Sequence, residues 1–392
     1  ELLNHPHTKF HRHNHSSPRH IYKAEKISVD IKTKRFFKHQ KSGSKNQSPN
    51  KHVKFCETLK VMKRIIITTL ALLATVAFVQ PGTLKWKYKT EGWVRFSPTI
   101  HNNTLYVGSD DGHVYALDAG NGTLRWKYQT QDEVTSSPTV HNGTVYVSSR
   151  GGIQAIDISN GTLKWGYETE GGVYSSLTIH NDTLYISSFD GFIYALNART
   201  GTLKWEYRTF FGYVSSPAVK NDKVYVGIYD DGFDTAIRAI DASDGKELWE
   251  YKTQGRSGGV SSSPTIHDNT IYAGSRDRRI YALDARNGSL QWKYETSSEV
   301  FSPTVFDGTV YVGSEYGDVY AFQADNGTLK WKYETEGRVD SNLTIDTGNL
   351  YFSSGEYIHV LDAINGTLEG KFEADGSDIS PSTVVGNDLY VG

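Results

Sequence analysis

Two short insertions interrupt the regular part of this chain of 392 residues, and they carry acidic and aromatic side chains and one arginine. The first insertion spans residues 229–235 and the second spans residues 254–259. The first contains Asp230, Asp231 and Asp234, whose carboxylates are the oxygen ligands that calcium prefers, although their spacing matches no complete calcium loop. We therefore favour a solvated acidic turn and keep these three aspartates only as weak metal candidates.

Aromatic and cationic side chains in and around the insertions are typical of surfaces that bind peptides or glycans. The members of this candidate partner face are Trp93, Arg95, Phe96, Phe210, Phe211, Tyr213, Tyr229, Phe233, Arg256, Arg276 and Arg278. The alternative interpretation is that they are ordinary exposed loop residues, because the chain contains 25 tyrosines and surface aromatics are common. No residue is predicted to be catalytic.

Several other chemistries have no support in the sequence. Cys56 is the only cysteine and lies before the regular part of the chain, which can therefore form neither a disulfide nor a thiolate metal site. There is no glycine-rich phosphate loop, nucleophile elbow or zinc motif. Residues 81–392 carry 40 Asp or Glu against 26 Lys or Arg, and this acidic balance argues against nucleic acid as a partner.

The elements that must position these side chains are repeats. Tryptophans recur every 39 to 44 residues, and Gly370 falls where the next one is due; they are Trp86, Trp126, Trp165, Trp205, Trp249, Trp292 and Trp331. This period is typical of propeller blades. Each unit contains four short runs of alternating hydrophobicity separated by Gly, Asn and Asp turns, as in residues 94–128. Each unit is therefore predicted to be a four-stranded antiparallel sheet.

Turn residues and prolines assign places to the strands. Asn-Gly pairs precede the fourth run in most units, and they favour the positive φ angles of a tight hairpin. The first run carries a proline in most units, as at Pro98 and Pro138. Proline is tolerated at a sheet edge, so the first strand is predicted to line the central channel and the fourth to form the outer edge. In this order the loops between strands two and three and the loops between blades open on one face, which therefore holds both insertions.

Counting fourth strands predicts an all-β, eight-bladed propeller. The first of these strands begins at Thr83 and has no blade before it, whereas residues 378–391 form two strands with no fourth strand after them. We therefore expect the N-terminal strand to complete the last blade and close the ring, which removes open sheet edges. The last blade has no third strand before Gly392, as expected if the sequence is a fragment of a longer chain.

The run Ala116 to Trp126, with Asp118 and Gly122 at fixed offsets, resembles the tryptophan-docking motif of pyrroloquinoline-quinone (PQQ) repeat propellers. The resemblance covers about residues 82–392. It implies that the seven tryptophans are structural and dock between adjacent blades. Members of this family include quinone-dependent dehydrogenases, BamB-type outer-membrane assembly lipoproteins and sensing domains of membrane kinases.

The resemblance leaves two functions open. The family's dehydrogenases typically surround PQQ and calcium with a vicinal disulfide and long inserted loops, whereas the repeats here have no cysteine and few insertions. We therefore favour a non-catalytic, BamB-like scaffold, without cofactor, that binds a protein, peptide or glycan as a monomer. No lipobox cysteine follows the apolar segment over residues 65–79, so lipid attachment is not expected. The alternative is a PQQ-dependent alcohol or sugar dehydrogenase.

The N-terminal region divides into two parts. Residues 1–61 are basic and rich in histidine, and we expect a disordered tail that is not translated natively if synthesis starts at Met62. Residues 62–80 contain two basic residues followed by an apolar run over residues 65–79, the layout of a signal peptide, with an uncleaved membrane anchor as the alternative. The propeller over residues 81–392 is accordingly expected outside the cell, at its surface or in the periplasm.

Asn-X-Ser/Thr triplets recur through the repeats, at Asn102, Asn121, Asn142, Asn160, Asn181, Asn287, Asn326, Asn342 and Asn365. In an exported chain such triplets are acceptors for N-linked glycans. Most of them also occupy hairpin turns, where turn geometry alone accounts for asparagine. The sequence leaves both interpretations open.

Overall fold

The computed structural model describes residues 22–28, 83–209, 213–229, 235–253, 259–339, 343–373, 383–385 and 388–391. All of its regular elements are β-strands. The first two are β1 (Tyr22–Ser28) and β2 (Thr83–Thr90), and the last two are β32 (Thr383–Val385) and β33 (Asp388–Val391). The strands between β2 and β32 form seven blades, which we number in chain order.

Blades 1 to 3 each contain four consecutive antiparallel strands. Blade 1 consists of β3 (Thr99–His101), β4 (Thr104–Gly108), β5 (His113–Asp118) and β6 (Leu124–Gln129). Blade 2 consists of β7 (Thr139–His141), β8 (Thr144–Ser149), β9 (Gly152–Asp157) and β10 (Leu163–Glu168). Blade 3 consists of β11 (Thr178–His180), β12 (Thr183–Ser188), β13 (Phe192–Asn197) and β14 (Leu203–Arg208).

Blade 4 has its first strand in two pieces, both paired with the second strand. It consists of β15 (Tyr213–Val214), β16 (Ala218–Lys220), β17 (Lys223–Tyr229), β18 (Ala236–Asp241) and β19 (Glu247–Lys252). Blade 5 consists of β20 (Thr265–His267), β21 (Thr270–Gly274), β22 (Arg279–Asp284) and β23 (Leu290–Glu295). Blade 6 consists of β24 (Thr304–Phe306), β25 (Thr309–Gly313), β26 (Asp318–Gln323) and β27 (Leu329–Glu334). Blade 7 consists of β28 (Thr344–Asp346), β29 (Asn349–Ser354), β30 (Tyr357–Asp362) and β31 (Leu368–Glu373).

The prediction of a propeller built from four-stranded antiparallel blades is confirmed, but its count of eight blades is corrected to seven. The remaining sheet has the order β2-β1-β33-β32 and is a composite of both ends of the chain. Residues 378–391 contribute only two strands to it, so the third place is filled by β1, which pairs with β33 on one side and β2 on the other. This pairing leaves no edge of β33 without a partner.

The strand β1 comes from the tail that we expected to be disordered, and for these seven residues that expectation was wrong. The rest of residues 1–61 and the apolar segment 62–80 lie outside the described residues. The described part of the chain contains no helix that is long and apolar enough to cross a membrane.

The core lies between neighbouring sheets. The second and third strands are buried almost throughout, whereas the fourth strand alternates between exposed and partly buried residues, as in β6 and β10. One cluster joins Tyr185 and Ile193 of blade 3 to Val224 and Ile240 of blade 4. Burial on both faces explains why these strands are rich in Val, Ile and Tyr, the residues that fit a pleated surface.

Each repeat tryptophan joins its sheet to the next one. Its indole Nε1 donates a hydrogen bond to the carbonyl that follows the third strand of the next blade, at 2.8 Å for Trp292 and Ala324 and at 3.3 Å for Trp249 and Ala285. The same bond is made by Trp86, Trp126, Trp165, Trp205 and Trp331. Burial and a satisfied indole N–H make these tryptophans structural side chains.

The first strands line the axis and bond sideways. The hydroxyl of Thr99 donates to the carbonyl of Pro138 at 2.6 Å, and Thr383 donates to the carbonyl of Pro98 at the same distance. Equivalent bonds are made by Thr139, Thr178, Thr265 and Thr304. These bonds link most neighbouring sheets beside the channel, and one of them links the composite sheet to blade 1.

Candidate functional site

The loops between blades and the turns between second and third strands meet on one face of the ring. The amide of Asp110 in a turn donates to the carbonyl of Trp93 in the preceding loop at 2.8 Å. The amide of Arg276 makes the same bond to the carbonyl of Gly259 at 3.0 Å. We call this surface the rim and define it by Trp93, Arg95, Asp110, Tyr174, Phe189, Tyr229, Arg276, Glu299, Phe301, Tyr316 and Arg338.

The first part of the rim combines an arginine with a tryptophan. The guanidinium of Arg95 lies 5.4 Å from the centre of the Trp93 ring, and its Nε lies 2.6 Å from Oδ2 of Asp110. Arg95 is exposed and Trp93 is half-buried. An arginine over an aromatic face gains a cation–π attraction, while its remaining N–H groups stay available for a partner's carboxylate.

The second part of the rim lies where blades 4, 5 and 6 meet. The guanidinium of Arg276 lies 4.3 Å from the centre of the Tyr229 ring, and its Nε forms an ion pair with Glu299 at 3.1 Å. The hydroxyl of Ser261 donates to the same carboxylate at 3.1 Å. Arg276 is therefore held in place by both neighbouring blades.

A third pair of this kind lies farther round the ring. The guanidinium of Arg338 lies 5.1 Å from the centre of the Phe301 ring. Between the first and second parts of the rim, the rings of Tyr174 and Phe189 pack edge to face, with their centres 4.8 Å apart. Aromatic or cation–π contacts thus recur at four blade junctions of one face.

The turns that carry the rim are fixed by aspartates. Asp111 accepts hydrogen bonds from the hydroxyl of Tyr115 at 2.7 Å and from the amide of Glu91 at 2.9 Å. Burial raises the pKa of Asp111, but these hydrogen bonds outweigh it and hold the pKa below its ordinary value. Asp190 and Asp277 occupy the same position. The Asp111 carboxylate therefore stays ionised near neutral pH and holds its turn, so it is a poor general acid.

Blade 7 has His359 at the position that Tyr115 occupies in blade 1. The imidazole is buried and stacks on Phe352, with ring centres 5.1 Å apart. Burial, assisted by the positive charge of Lys371, lowers the pKa of His359 to about 4. The folded protein therefore keeps this histidine neutral at pH values where an unfolded chain would bind a proton.

We expect the chain to lose about 2–3 kcal/mol of stability through His359 as the pH falls from 7 to 4. The folded pKa lies below the unfolded value of 6.5, so the contribution is complete above pH 6.5 and is lost as the pH approaches 4. Urea unfolding at a series of pH values measures this loss. The variant His359→Tyr carries the residue found in blades 1, 3, 5 and 6 and should be less sensitive to pH over the same range; equal sensitivity would contradict the assignment.

The structure places part of the predicted partner face on the rim. Arg95 contacts Trp93, and Arg276 contacts Tyr229. Phe96 follows Arg95 in the sequence and is half-buried. Arg278 lies in the same turn as Arg276 but pairs with Glu295 at 3.3 Å, at the end of the fourth strand. The register places Tyr213 opposite Tyr229. The remaining predicted residues lie outside the described ones, namely Phe210, Phe211, Asp230, Asp231, Phe233, Asp234 and Arg256.

Sequence analysis missed Tyr174, Phe189, Phe301 and Arg338. The signal was present, because Arg338 stands directly before the junction valine of its repeat, as Trp93 does, and Tyr174 and Phe301 stand directly after it, as Arg95 does. Aligning the repeats by this valine would have found these three, but not Phe189. Within the described ranges, no three His, Cys, Asp or Glu side chains converge to hold a metal ion.

The fold and the rim together define a class of protein: a propeller of four-stranded blades joined by docked tryptophans, with an aromatic and arginine-bearing face. A family model described as "Outer membrane protein assembly factor BamB" matches residues 73–178, 168–367 and 296–387. The chain therefore belongs to this family of PQQ-like repeat propellers. A search of curated proteins returned no match.

Solved structures share the fold at low sequence identity. BamB from Moraxella catarrhalis is 20% identical with a TM-score of 0.65, over 75% of this chain and 95% of that chain. The computationally designed Ika8 protein is 18% identical with a TM-score of 0.67, over 77% and 97%. Quinohemoprotein alcohol dehydrogenase from Comamonas testosteroni is 14% identical with a TM-score of 0.64, over 76% and 70%. These similarities show the fold alone, which proteins of different function can share.

Proposed function

We propose that this chain is an exported, non-catalytic propeller whose rim binds a partner protein, peptide or glycan. The observation that carries the proposal is the recurrence of arginine–aromatic pairs at three blade junctions, Trp93 with Arg95, Tyr229 with Arg276, and Phe301 with Arg338. Aromatic and arginine side chains contribute most of the binding energy in many interfaces.

The fixed positions of the rim arginines support a role in binding. Asp110 and Glu299 hold two of the three guanidinium groups through ion pairs, so these arginines lose less side-chain freedom when a partner arrives. A partner with carboxylates, sugar hydroxyls or aromatic groups would complement this surface. Membership in a family described as an outer membrane protein assembly factor supports a protein partner and an exported location.

The proposal is tested by photo-crosslinking from two equally exposed positions on opposite faces. Tyr316 on the rim is 75% exposed, and Ile364 in the turn between the third and fourth strands of blade 7 is 81% exposed. A photoreactive phenylalanine is placed at each position, and we expect a discrete crosslinked partner from Tyr316 alone. Equal crosslinking from Ile364, or none from Tyr316, would contradict the rim assignment.

The crosslinked partner, once purified, is then titrated against the wild-type chain and an Arg276→Ala variant. We expect the variant to bind about 10-fold more weakly, since truncating an anchoring arginine typically costs more than 1 kcal/mol. Arg150→Ala is the matched control, because Arg150 lies at the equivalent turn position of blade 2 but pairs with Glu133 and has no aromatic partner among its described contacts. Equal losses in both variants would count against a role specific to the arginine–aromatic pairs.

A quinone-dependent dehydrogenase is the competing function, since two quinohemoprotein alcohol dehydrogenases share the fold. The purified chain is titrated with PQQ and calcium while tryptophan emission is followed, and alcohol or sugar oxidation is then assayed with a dye. Saturable binding with turnover would replace the scaffold proposal. The scaffold proposal expects neither.

A further inference from the structure

We propose that the face opposite the rim is an array of N-glycosylation sites, with Asn121, Asn160, Asn287, Asn326 and Asn365 as the acceptors of N-linked oligosaccharides. All five begin Asn-Gly-Thr or Asn-Gly-Ser in the turn between the third and fourth strands. The inference goes beyond the binding function proposed above and rests on it only for export.

The accessible amide is the first observation. All five asparagines and the five hydroxyl residues two places later are exposed. The side-chain Oδ1 of Asn121 accepts a hydrogen bond from the amide of Thr123 at 3.0 Å, and Asn365 accepts one from Thr367 at 2.9 Å. Among the described contacts, no hydrogen bond engages the side-chain Nδ2 of any of the five. Within the described residues, the nitrogen that would receive the sugar therefore has no hydrogen-bond partner.

The turn itself does not require this triplet, which is the second observation. In blade 4 the same turn is Asp244-Gly245-Lys246, and Asp244 accepts the hydrogen bond from the amide of Lys246 at 3.1 Å. In blade 3, Thr200 stands at the asparagine position. A turn cap that accepts one hydrogen bond thus suffices, and neither asparagine nor the following hydroxyl is needed for the fold. Five of the seven blades nevertheless contain both.

The third observation separates these sites from other triplets. Asn102, Asn142 and Asn181 lie in the turns between first and second strands and have positive φ angles of 44° to 48°. Their Nδ2 atoms lie 2.9–3.0 Å from the Nε2 atoms of the preceding histidines. The hydroxyls two places later contact arginine or lysine, as Thr104 does with Arg125 at 2.6 Å. Turn geometry and these contacts account for this second group, and we exclude it from the array.

Topology places both groups of turns on the face away from the rim, because hairpins between strands one and two and between strands three and four leave the sheets on the same side. Glycans at the five sites would cover that face and leave the arginine–aromatic pairs clear. The remaining triplets, at Asn14, Asn46 and Asn342, lie outside the described residues.

The chemistry is an ordinary group transfer. The Nδ2 of asparagine attacks C1 of the first sugar of a polyprenyl-diphosphate-linked oligosaccharide. An N-glycosidic bond forms, the bond between C1 and the diphosphate oxygen breaks, and the amide loses one proton to a base of the transferase. Polyprenyl diphosphate leaves, and nothing is oxidised or reduced. The hydroxyl at the third position is the feature that the transferase recognises in this motif.

The test uses the purified, folded full chain, an oligosaccharyltransferase that accepts Asn-X-Ser/Thr, and its lipid-linked donor, so that the result does not depend on export. We expect oligosaccharide increments in intact mass spectra, with peptide mapping assigning one to each of the five asparagines. No modification, while a control Asn-Gly-Thr peptide is fully modified, would overturn the proposal. Modification confined to Asn102, Asn142 and Asn181 would also overturn it.

Matched variants use the blade 4 turn as a guide. Asn160→Asp keeps the hydrogen-bond acceptor, as Asp244 does, and should remove one increment without changing the unfolding midpoint. Thr162→Lys copies Lys246 and should give the same loss. If either variant keeps all the increments, modification occurs elsewhere and the assignment fails. Whether the chain is exported is measured separately, by locating it in fractionated cells, so failure of one claim leaves the other standing.

Discussion

Replacing Trp205 with alanine is expected to lower the free energy of unfolding by about 3–5 kcal/mol. The indole is 8% exposed and its Nε1 donates to the carbonyl of Ala242 at 2.9 Å, so the substitution removes both a large apolar group and a hydrogen bond between blades 3 and 4. The ring centre of Tyr185 lies 5.8 Å from that of the Trp205 indole, and the hydroxyl of Tyr185 also donates a hydrogen bond to the carbonyl of Ala242. The turn cannot move in to fill the cavity without losing this second bond.

Urea unfolding followed by circular dichroism measures the loss, and Trp205→Phe is the matched control. Phenylalanine keeps an aromatic ring in the cavity but cannot donate the hydrogen bond, so we expect an intermediate cost of about 1–2 kcal/mol. If the two variants were equally stable, burial of the indole would contribute little and the docking account would be wrong. Because the loss lies at an interface between blades, rim binding by the surviving folded fraction should be unchanged.

Replacing Gly152 with alanine is expected to cost about 3–5 kcal/mol, from backbone strain and steric overlap together. Gly152 begins the third strand of blade 2 with φ of +128°, a conformation that residues with a Cβ rarely adopt. An added Cβ would lie 2.1 Å from the carbonyl oxygen of Tyr167 in the neighbouring strand. Because the overlapping atom belongs to the backbone, relief requires the third and fourth strands to separate.

Gly143→Ala in the same blade is the control for strain alone. Gly143 has φ of +70°, but a Cβ there meets no atom within 4 Å. Its cost should be close to 1 kcal/mol, the ordinary penalty for alanine in the left-handed region. The comparison is made by thermal and urea unfolding of the two variants. Equal destabilisation would mean that the overlap with Tyr167 relaxes at no cost.

Much of the fold could be predicted because its signals are local and repeated. The tryptophan period, the Asn-Gly turns and the prolines of the first strands act over a few residues each, and seven repeats reinforce one another. The composite sheet could not be predicted in this way. Residues 22–28 lack the aspartate that ends most third strands, and their pairing with residues 388–391 spans most of the chain.

The candidate site could be predicted only in its location. Strand order alone assigned the insertions and the blade junctions to one face, and Arg95 and Arg276, which were predicted for that face, lie on the rim. Which aromatic ring each arginine contacts depends on side-chain packing between blades, which has no sequence signal. Sequence reasoning also favoured insertions over repeat positions, and it therefore overlooked Arg338 and Phe301, which occupy regular positions of their repeats.

The composite sheet also affects how the ring forms. Within a blade the strands are neighbours in sequence, so each sheet can pair soon after its residues are synthesised. The bonds from Thr383 to Pro98 and from Tyr390 to Ala119 join residues 285 and 271 positions apart. Contacts of such long sequence separation carry the largest loop-closure entropy and form late. We therefore expect ring closure to be the slow step of folding and this seam to be where the ring opens first.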